Sequence, residues 1–185
     1  MRLILFYKDR KMPLKLIFAF ILGCALGSAA TAQSSSKYLK ILQQEGYTLY
    51  FIKPVAFKKG KNRLALDFTF QHGPTVPETV VLRFSLYSKN PIREMDGLSF
   101  FAKETPLGES SGPELMFLEQ DKGWWHARFA STISYPTLID MLEAGENLEI
   151  RYHRQETAFA FPANRKWGKA SSVVKEILKA EVGEK

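Results

Sequence analysis

The feature that most constrains the fold is the strict alternation of apolar and polar residues in the run RLALDFTFQ, residues 63–71. Every second residue is large and apolar, namely Leu64, Leu66, Phe68 and Phe70. Successive side chains of a β-strand point to opposite faces, so this run predicts a strand with one buried and one solvent-facing side. The run TVVLRFSLYS, residues 79–88, alternates in the same way. Half-buried strands of this kind are typical of antiparallel sheets.

The remaining runs predict further strands and three helices. The strand candidates are TLYFIKPVAF with an interruption at Pro54, GLSFFAKE, ELMFLEQ, WWHARFAST, LEIRYHR and TAFAFPA. The turn DKG predicts a hairpin of ELMFLEQ with WWHARFAST, and LEIRYHR with TAFAFPA predicts a second one. Helices are predicted for SSSKYLKILQQEG, which Gly46 would end, for YPTLIDMLEAGEN, ending near Gly145, and for RKWGKASSVVKEILKAEV.

Strands and helices do not alternate regularly along the chain, which argues against a parallel, doubly wound sheet. We therefore expect a mainly β fold, either an antiparallel β-sandwich or a curved sheet. A short N-terminal helix and a C-terminal amphipathic helix are expected to pack on it. The alternative for the last helix is binding at a membrane surface, but its apolar stripe also suits a sheet and glutamates dilute its charge.

The first 32 residues have the order of features of a secretory signal peptide. Basic residues precede an apolar run that begins at Leu16, and small residues end in Ala30-Thr31-Ala32. The apolar run is about 15 residues long, whereas a spanning helix needs about 20. We expect cleavage after Ala32, which leaves residues 33–185 as a single β-rich domain. Met12 is an alternative start, because the sequence that follows it is a complete signal by itself.

The only cysteine, Cys24, lies inside this leader. Together with Ile21, Leu22 and Gly23 it resembles a bacterial lipobox, in which the cysteine carries a lipid and the chain is cut before it. Cleavage after Ala32 would instead leave a chain without disulfides or thiolate metal sites. Both alternatives place the protein outside the cytoplasm, in the periplasm or cell envelope of a bacterium. A membrane partner is expected only for the form lipidated at Cys24.

The charge of the chain is ordinary once the leader is set aside. The whole sequence has 26 Lys and Arg against 19 Asp and Glu, a formal charge of +7. The leader holds five of the basic residues and one acidic residue, so the rest carries about +3. Such a charge suits solubility and gives no indication of nucleic-acid binding.

The run GESSG, residues 108–112, fits the G-x-S-x-G pattern of the hydrolase nucleophile elbow, with Ser110 as the nucleophile. The chain order Ser110, Asp140, His153 also matches a Ser…Asp…His triad. The elbow requires a helix directly after the serine, however, and here Pro113 and a strand-like run follow. We interpret GESSG as a flexible surface loop and keep a serine hydrolase only as an alternative.

Basic and aromatic residues on two predicted strands are the candidate binding residues. His126 and Arg128 lie on the polar side of one strand, and Arg151 and His153 on the polar side of another. If these strands pair, the four residues would form a basic patch for a phosphate, a carboxylate or an anionic glycan. The alternative is an ordinary solvated face. A zinc site is not expected, because no close His or Cys pair supplies enough ligands.

The adjacent tryptophans Trp124 and Trp125 must face opposite sides of their strand. One should enter the core, and the other is either covered or exposed. An exposed tryptophan can stack on a sugar or mark a partner interface, and we include Trp124 in the candidate site for this reason.

The segment LIDMLEAGENLEIRYHRQETAFAFPANRKW is similar to the end of secreted bacterial proteins of the invasion-associated locus B type. The likeness consists of a helix, a strand after a glycine, an aromatic strand and a final helix. The cysteines that this family pairs are absent after residue 32, and no residue role is carried over from it.

Together these features predict an exported binding module without catalytic equipment, cofactor or metal. Its expected partner is a protein or another envelope component, not a nucleic acid. The candidate binding residues are Trp124, His126, Arg128, Arg151 and His153. The main alternative is a carrier of a small apolar ligand or lipid, with a cavity between sheet and helix lined by the phenylalanines of LALDFTF, VVLRFSL and FAFPA.

Overall fold

The computed structural model describes residues 37–154 and 157–183, in which ten strands form two antiparallel sheets. The strands are β1 (Leu39–Gln44), β2 (Tyr47–Lys59), β3 (Asn62–His72), β4 (Thr79–Ser88), β5 (Gly97–Ala102), β6 (Thr105–Glu109), β7 (Glu114–Asp121), β8 (Trp124–Ser134), β9 (Leu148–Arg154) and β10 (Thr157–Pro162). The helices are α1 (Tyr135–Ala144) and α2 (Arg165–Glu181), with one 3-10 turn (Gly145–Asn147) after α1. The predicted signal peptide and Cys24 lie outside the described residues.

The order of the strands separates a large sheet from a small one. The large sheet has the order β1-β2-β3-β4-β8-β7, and the small sheet has the order β10-β9-β5-β6. The chain therefore leaves the large sheet after β4, returns to it at β7 and leaves again through α1. The prediction of a mainly β, antiparallel fold is confirmed.

The alternating runs form the buried face of the large sheet, as predicted. Leu64, Leu66, Phe68 and Phe70 of β3 are at most 3% exposed. They pair in register with equally buried residues of β4, for example Leu66 with Phe84. In β2 the pairing shifts between Ile52 and Val55, because Pro54 has no N–H to donate to the ladder.

The N-terminal helix prediction is wrong over residues 39–44, which form strand β1. This strand pairs along its whole length with β2, from Leu39 opposite Ile52 to Gln44 opposite Tyr47. Apolar residues at short spacing fit either period, and pairing with the long neighbouring strand decides between them. Gly46 is a hairpin glycine with φ 82°, not the end of a helix. The predicted helical residues 34–36 lie outside the described chain.

The two other helices are confirmed and have clear start signals. The Ser134 side chain accepts a hydrogen bond from Thr137 N at the start of α1, and Pro136 lies in the first turn. At the start of α2, Asn164 Oδ1 accepts from the N–H groups of Lys166 and Trp167. The Asn164 amide also donates to the carbonyl of Ala56 at 2.8 Å, so the cap fastens the helix to β2.

Trp167 anchors α2 to the inner face of the large sheet. Its side chain is fully buried, with ring centroids 5.5 Å from Phe57 and 6.5 Å from Phe68. The helix also buries Ala170, Val174 and Leu178 along the same stripe. None of the helices in the described ranges is long and apolar enough to cross a membrane.

We predict that Trp167→Ala lowers the free energy of unfolding by about 3–5 kcal/mol, because it leaves a large cavity between α2 and the sheet. Trp167→Phe should lower the free energy of unfolding much less. It keeps an aromatic ring in the core, and the Nε1 atom that it removes is buried without a partner among the described residues. Lys169→Ala, an exposed change on the same helix, is the control. Equal urea midpoints for Trp167→Ala and Lys169→Ala would contradict this account.

Candidate functional site

The strand pairing on which the predicted basic patch depended does not occur, because the two strands belong to different sheets. Strand β8 pairs with β4 and β7 in the large sheet, whereas β9 pairs with β5 and β10 in the small sheet. His126 and Arg128 therefore lie on the outer face of one sheet and Arg151 on that of the other. The backbone of His153 pairs with Gly97 and Ala158, and its side chain lies outside the described part of the chain.

His126 is held within an aromatic cluster on the outer face of the large sheet. Its ring stacks on Tyr87 with centroids 4.3 Å apart, and Phe117 meets it edge-on at 4.9 Å. Its Nδ1 atom is 2.9 Å from Glu119 Oε1, and the register places Tyr87, His126 and Glu119 in one row. The Nε2 atom is buried and has no hydrogen-bond partner among the described residues.

Arg128 and Trp124 also have partners on this face. Arg128 donates to Asp67 Oδ2 at 2.7 Å and to Ser85 Oγ at 3.1 Å, so it connects three neighbouring strands. The ring of Trp124 is covered by the Lys89 ammonium, whose Nζ lies 4.3 Å from the ring centroid. Both residues therefore stabilise the sheet surface, and the Arg128 charge is balanced by a carboxylate.

Arg151 is balanced in the same way on the small sheet. Its Nε atom donates to Glu149 Oε1 at 2.6 Å, and NH2 lies 3.6 Å from Glu104 Oε2. The hydrogen bond to Glu149 is the main factor that raises the pKa of the guanidinium. The guanidinium also lies over the ring of Phe101 at 4.0 Å. Arg151 and Arg128 are therefore ion-paired, and neither is a lone cation poised for an anion.

Sequence reasoning missed an apolar surface on β7, the outermost strand of the large sheet. Leu115, Met116 and Phe117 are 38%, 51% and 39% exposed. The pairing with β8 shifts between Leu115 and Phe117, so Met116 is the extra residue of a β-bulge. We call Leu115, Met116 and Phe117 the edge patch. Its sequence signal is the run of four apolar residues in ELMFLEQ, which breaks the alternation seen elsewhere.

The GESSG run connects the two sheets and does not have the strand–serine–helix geometry of the nucleophile elbow. Ser110 exchanges two hydrogen bonds with Leu98 of β5, through its N–H at 2.8 Å and its Oγ at 2.9 Å. Ser111 bonds to Thr132 of β8, again through both its N–H and its hydroxyl. The run lies at the surface as predicted, but its serines fasten it to one strand of each sheet. No helix follows Ser110, because β7 begins at Glu114.

The first glycine of this run is required by a close approach of α1. Gly108 has φ 147°, and a Cβ atom there would lie 2.5 Å from Thr137 Oγ1. A side chain at Gly108 would therefore meet both a backbone penalty and a steric clash. At Gly112, by contrast, an added Cβ atom would have no other atom within 4 Å.

We predict that Gly108→Ala destabilises the protein by about 1–3 kcal/mol. The matched control is Gly112→Ala in the same run, which should change stability by no more than about 0.5 kcal/mol. Thermal or urea unfolding of the two variants measures the difference. If both glycines tolerate alanine equally, the close contact with Thr137 does not exist in solution.

A second surface missed by sequence reasoning is a cleft at one end of the large sheet. It consists of two adjoining hollows of about 580 and 600 Å³, which share His72, Gly73 and Glu181. Tyr47, Thr48 and Tyr50 line the first hollow, and Pro74 to Val76 with Val182 and Gly183 line the second. We call these joined hollows the end cleft. Its residues come from three distant parts of the chain, which explains why no local pattern revealed it.

The end cleft contains a tyrosine–carboxylate pair. Tyr50 OH donates to Glu181 Oε2 at 2.8 Å, and the Tyr50 ring stacks on Phe70 with centroids 5.0 Å apart. Burial, followed by this hydrogen bond and the charge of Glu181, raises the pKa of Tyr50 well above its ordinary value. Next to Phe70, burial raises the pKa of Tyr135 to about 12.

These two tyrosines predict a loss of stability at alkaline pH. Unfolded tyrosines ionise near pH 10, whereas the folded ones keep their protons to higher pH, so stability falls as the pH rises above about 10. Tyr135→Phe and Tyr50→Phe should each make the decline between pH 9 and 11 shallower than in the parent protein. Urea unfolding at both pH values measures it, with the same variants at pH 7 as the control. An unchanged decline in both variants would contradict the prediction.

No family model, curated protein or solved structure matches this chain. Within the described ranges, no group of three or more His, Cys, Asp or Glu side chains is placed to hold a metal ion. The large apolar side chains that are exposed among the described residues all lie in the edge patch or in the lining of the end cleft.

Proposed function

We propose that this protein is an exported, non-enzymatic binding module of the bacterial envelope, which binds a partner protein through the edge patch. The observation that carries the proposal is the exposure of three consecutive residues of an outermost strand, Leu115, Met116 and Phe117. Phe117 is in register with the outward-facing Arg128, and Leu115 with the inward-facing Phe129. Edge strands with exposed apolar residues are ready templates for pairing with another chain. The export part of the proposal rests on the leader sequence alone.

The charges around the edge patch favour a basic partner segment. Glu114, Glu119 and Asp121 pair with outward-facing residues of β8, as Phe117 does, and so lie on the same face. Two copies of β7 placed side by side would bring these carboxylates close together, which is unfavourable. An extended segment that alternates apolar residues with Lys or Arg would satisfy both the apolar and the acidic side chains.

The aromatic cluster behind the patch supports the same surface. Phe117 contacts the His126 ring edge-on, and His126 in turn stacks on Tyr87. The patch therefore rests on a preformed aromatic support, and rigid aromatic side chains are the usual anchors of protein interfaces. Of the residues proposed from sequence, His126 contacts Phe117 and Arg128 is its partner in the strand register.

The packing of the core favours surface binding over a carrier. Phe68, Phe84 and Phe161 represent the three runs that were expected to line a cavity, and each is at most 1% exposed. A cavity wide enough for an apolar ligand would leave part of these side chains accessible to a water molecule. The hydroxyl of Ser110 likewise accepts a hydrogen bond from the Leu98 backbone, which favours a structural role for this serine.

The test is site-specific photo-crosslinking in the cell envelope of the protein's own host. A crosslinking phenylalanine analogue at Phe117 should give a discrete product with one partner, visible as a single shifted band. The matched control is the same analogue at Thr105, an exposed residue on β6, the edge strand of the small sheet. A crosslink from Thr105 alone, or none from either site, would contradict the proposal.

A second variant makes the test specific to the apolar side chains. With the crosslinker at the exposed Gln120, Met116→Ser should reduce the crosslinked product about tenfold, the effect of losing roughly 1.4 kcal/mol of binding. The folded state should be little affected, because Met116 is the unpaired residue of the bulge and is 51% exposed, and surface changes usually cost at most about 0.5 kcal/mol. An unchanged yield would show that the patch does not bind.

A further inference from the structure

We infer that the end cleft binds a small organic cation, an ammonium or guanidinium group carried on an apolar body. The cleft lies at the β1–β3 side of the large sheet, whereas the edge patch lies on β7 at its other edge. The inference is therefore independent of the proposed function. It depends on two features of the lining, its charge and its exposed apolar side chains.

The charge of the lining is negative in a chain that is otherwise basic. Glu181 is the acidic residue of both hollows, and no Lys or Arg is among the described residues that line them. Helix α2 ends at Glu181, and the C-terminal end of a helix adds partial negative charge at the same place. A cation is attracted to this lining, and a phosphate or carboxylate is repelled by it.

The Tyr50 hydroxyl holds the Glu181 carboxylate in a fixed orientation. It donates to Glu181 Oε2 at 2.8 Å and remains protonated, so it neutralises none of the carboxylate charge. One carboxylate oxygen is thereby fixed, and a ligand N–H has the second oxygen, Oε1, as its acceptor. A carboxylate that is held before the ligand arrives loses less side-chain freedom on binding.

Exposed apolar side chains flank the carboxylate and would contact the body of the ligand. Tyr47 is 37% exposed in one hollow and Val76 is 42% exposed in the other. The face of an exposed tyrosine also attracts a cation directly. The neighbouring Gly46 and Gly73 carry no side chain that would fill the space between them.

His72 lines both hollows of the end cleft. It is partly buried, and its Nδ1 atom is buried without a partner among the described residues. Unpaired buried polar atoms are uncommon in native proteins. Because this atom is buried, a ligand in the cleft does not reach it. A metal ion is disfavoured, because His72 and Glu181 are the strong metal ligands among the described residues of the lining.

The experiment uses three molecules of nearly the same shape and different charge: benzamidine as the cation, benzamide as the neutral form and benzoate as the anion. Amide chemical shifts of the isotope-labelled protein are followed during titration with each. Benzamidine should shift Tyr47, Thr48, His72, Gly73 and Val182 in a saturable way. Its dissociation constant should be about fivefold lower than that of benzamide, which is the effect of one exposed ion pair.

The matched variants are Glu181→Gln and Glu176→Gln, which remove the same charge from the same helix. Glu181→Gln keeps an acceptor for Tyr50 and should weaken benzamidine binding about fivefold. Glu176→Gln, outside the cleft lining, should not change it. Tyr47→Ala, at an exposed residue that folding tolerates, should weaken binding by a further factor of about three.

Three outcomes would overturn the inference. Equal binding of benzamide and benzamidine would show that the cleft does not recognise charge. Equal effects of Glu181→Gln and Glu176→Gln would show that only the overall charge of the protein matters. The absence of saturable shifts at the cleft residues, with shifts elsewhere or none at all, would show that the cation does not bind there.

Discussion

The contact on which the rest of the structure depends is the burial of Trp167 against Phe57 and Phe68. The inner face of the large sheet is mainly apolar, and such a face is stable only when another layer covers it. Helix α2 supplies that cover on the β2–β3 side, and the Asn164 cap fastens the start of the helix to the backbone of β2. Leu98, Phe100 and Ile150 of the small sheet belong to the same core cluster. One tryptophan and one capping residue thus determine where the helix lies.

A tightly packed core restricts where function can occur. Because the described core side chains have almost no accessible surface, we propose that ligands and partners bind at the outer faces, the strand edges and the ends of the sheets. On the outer face of the large sheet, Arg128 with Asp67 and His126 with Glu119 are already paired across strands. Cross-strand pairs of this kind stabilise a sheet more readily than they bind a ligand. The exposed apolar side chains lie instead at the margins of the large sheet, on β7 and in the end cleft around Glu181.

The alternation of residues along a strand predicts which side is buried, but it does not predict which strand is the neighbour. This is why the buried faces of β3 and β4 followed from the sequence and the basic patch did not. The patch required β8 and β9 to pair, and strand pairing depends on contacts between distant segments. The error at residues 39–44 has the same origin, because pairing with β2 determined the conformation of a short ambiguous run. The end cleft joins Tyr47, His72 and Glu181, and no local pattern links such distant residues.

The sequence of β7 shows why an exposed apolar edge is compatible with a monomeric fold. Natural edge strands resist self-association through bulges and charges, and β7 has both, in the bulge at Met116 and the carboxylates at Glu114, Glu119 and Asp121. If β7 needed only to avoid aggregation, polar residues at positions 115 and 117 would achieve this better than the exposed Leu115 and Phe117. Under the proposed function, the combination discriminates between partners: the carboxylates oppose a second copy of β7, and the apolar side chains contribute binding energy to a basic partner. The bulge at Met116 leaves residues 117–121 in regular pairing with β8. The straight part of the edge therefore begins at Phe117, where the apolar patch meets the acidic residues.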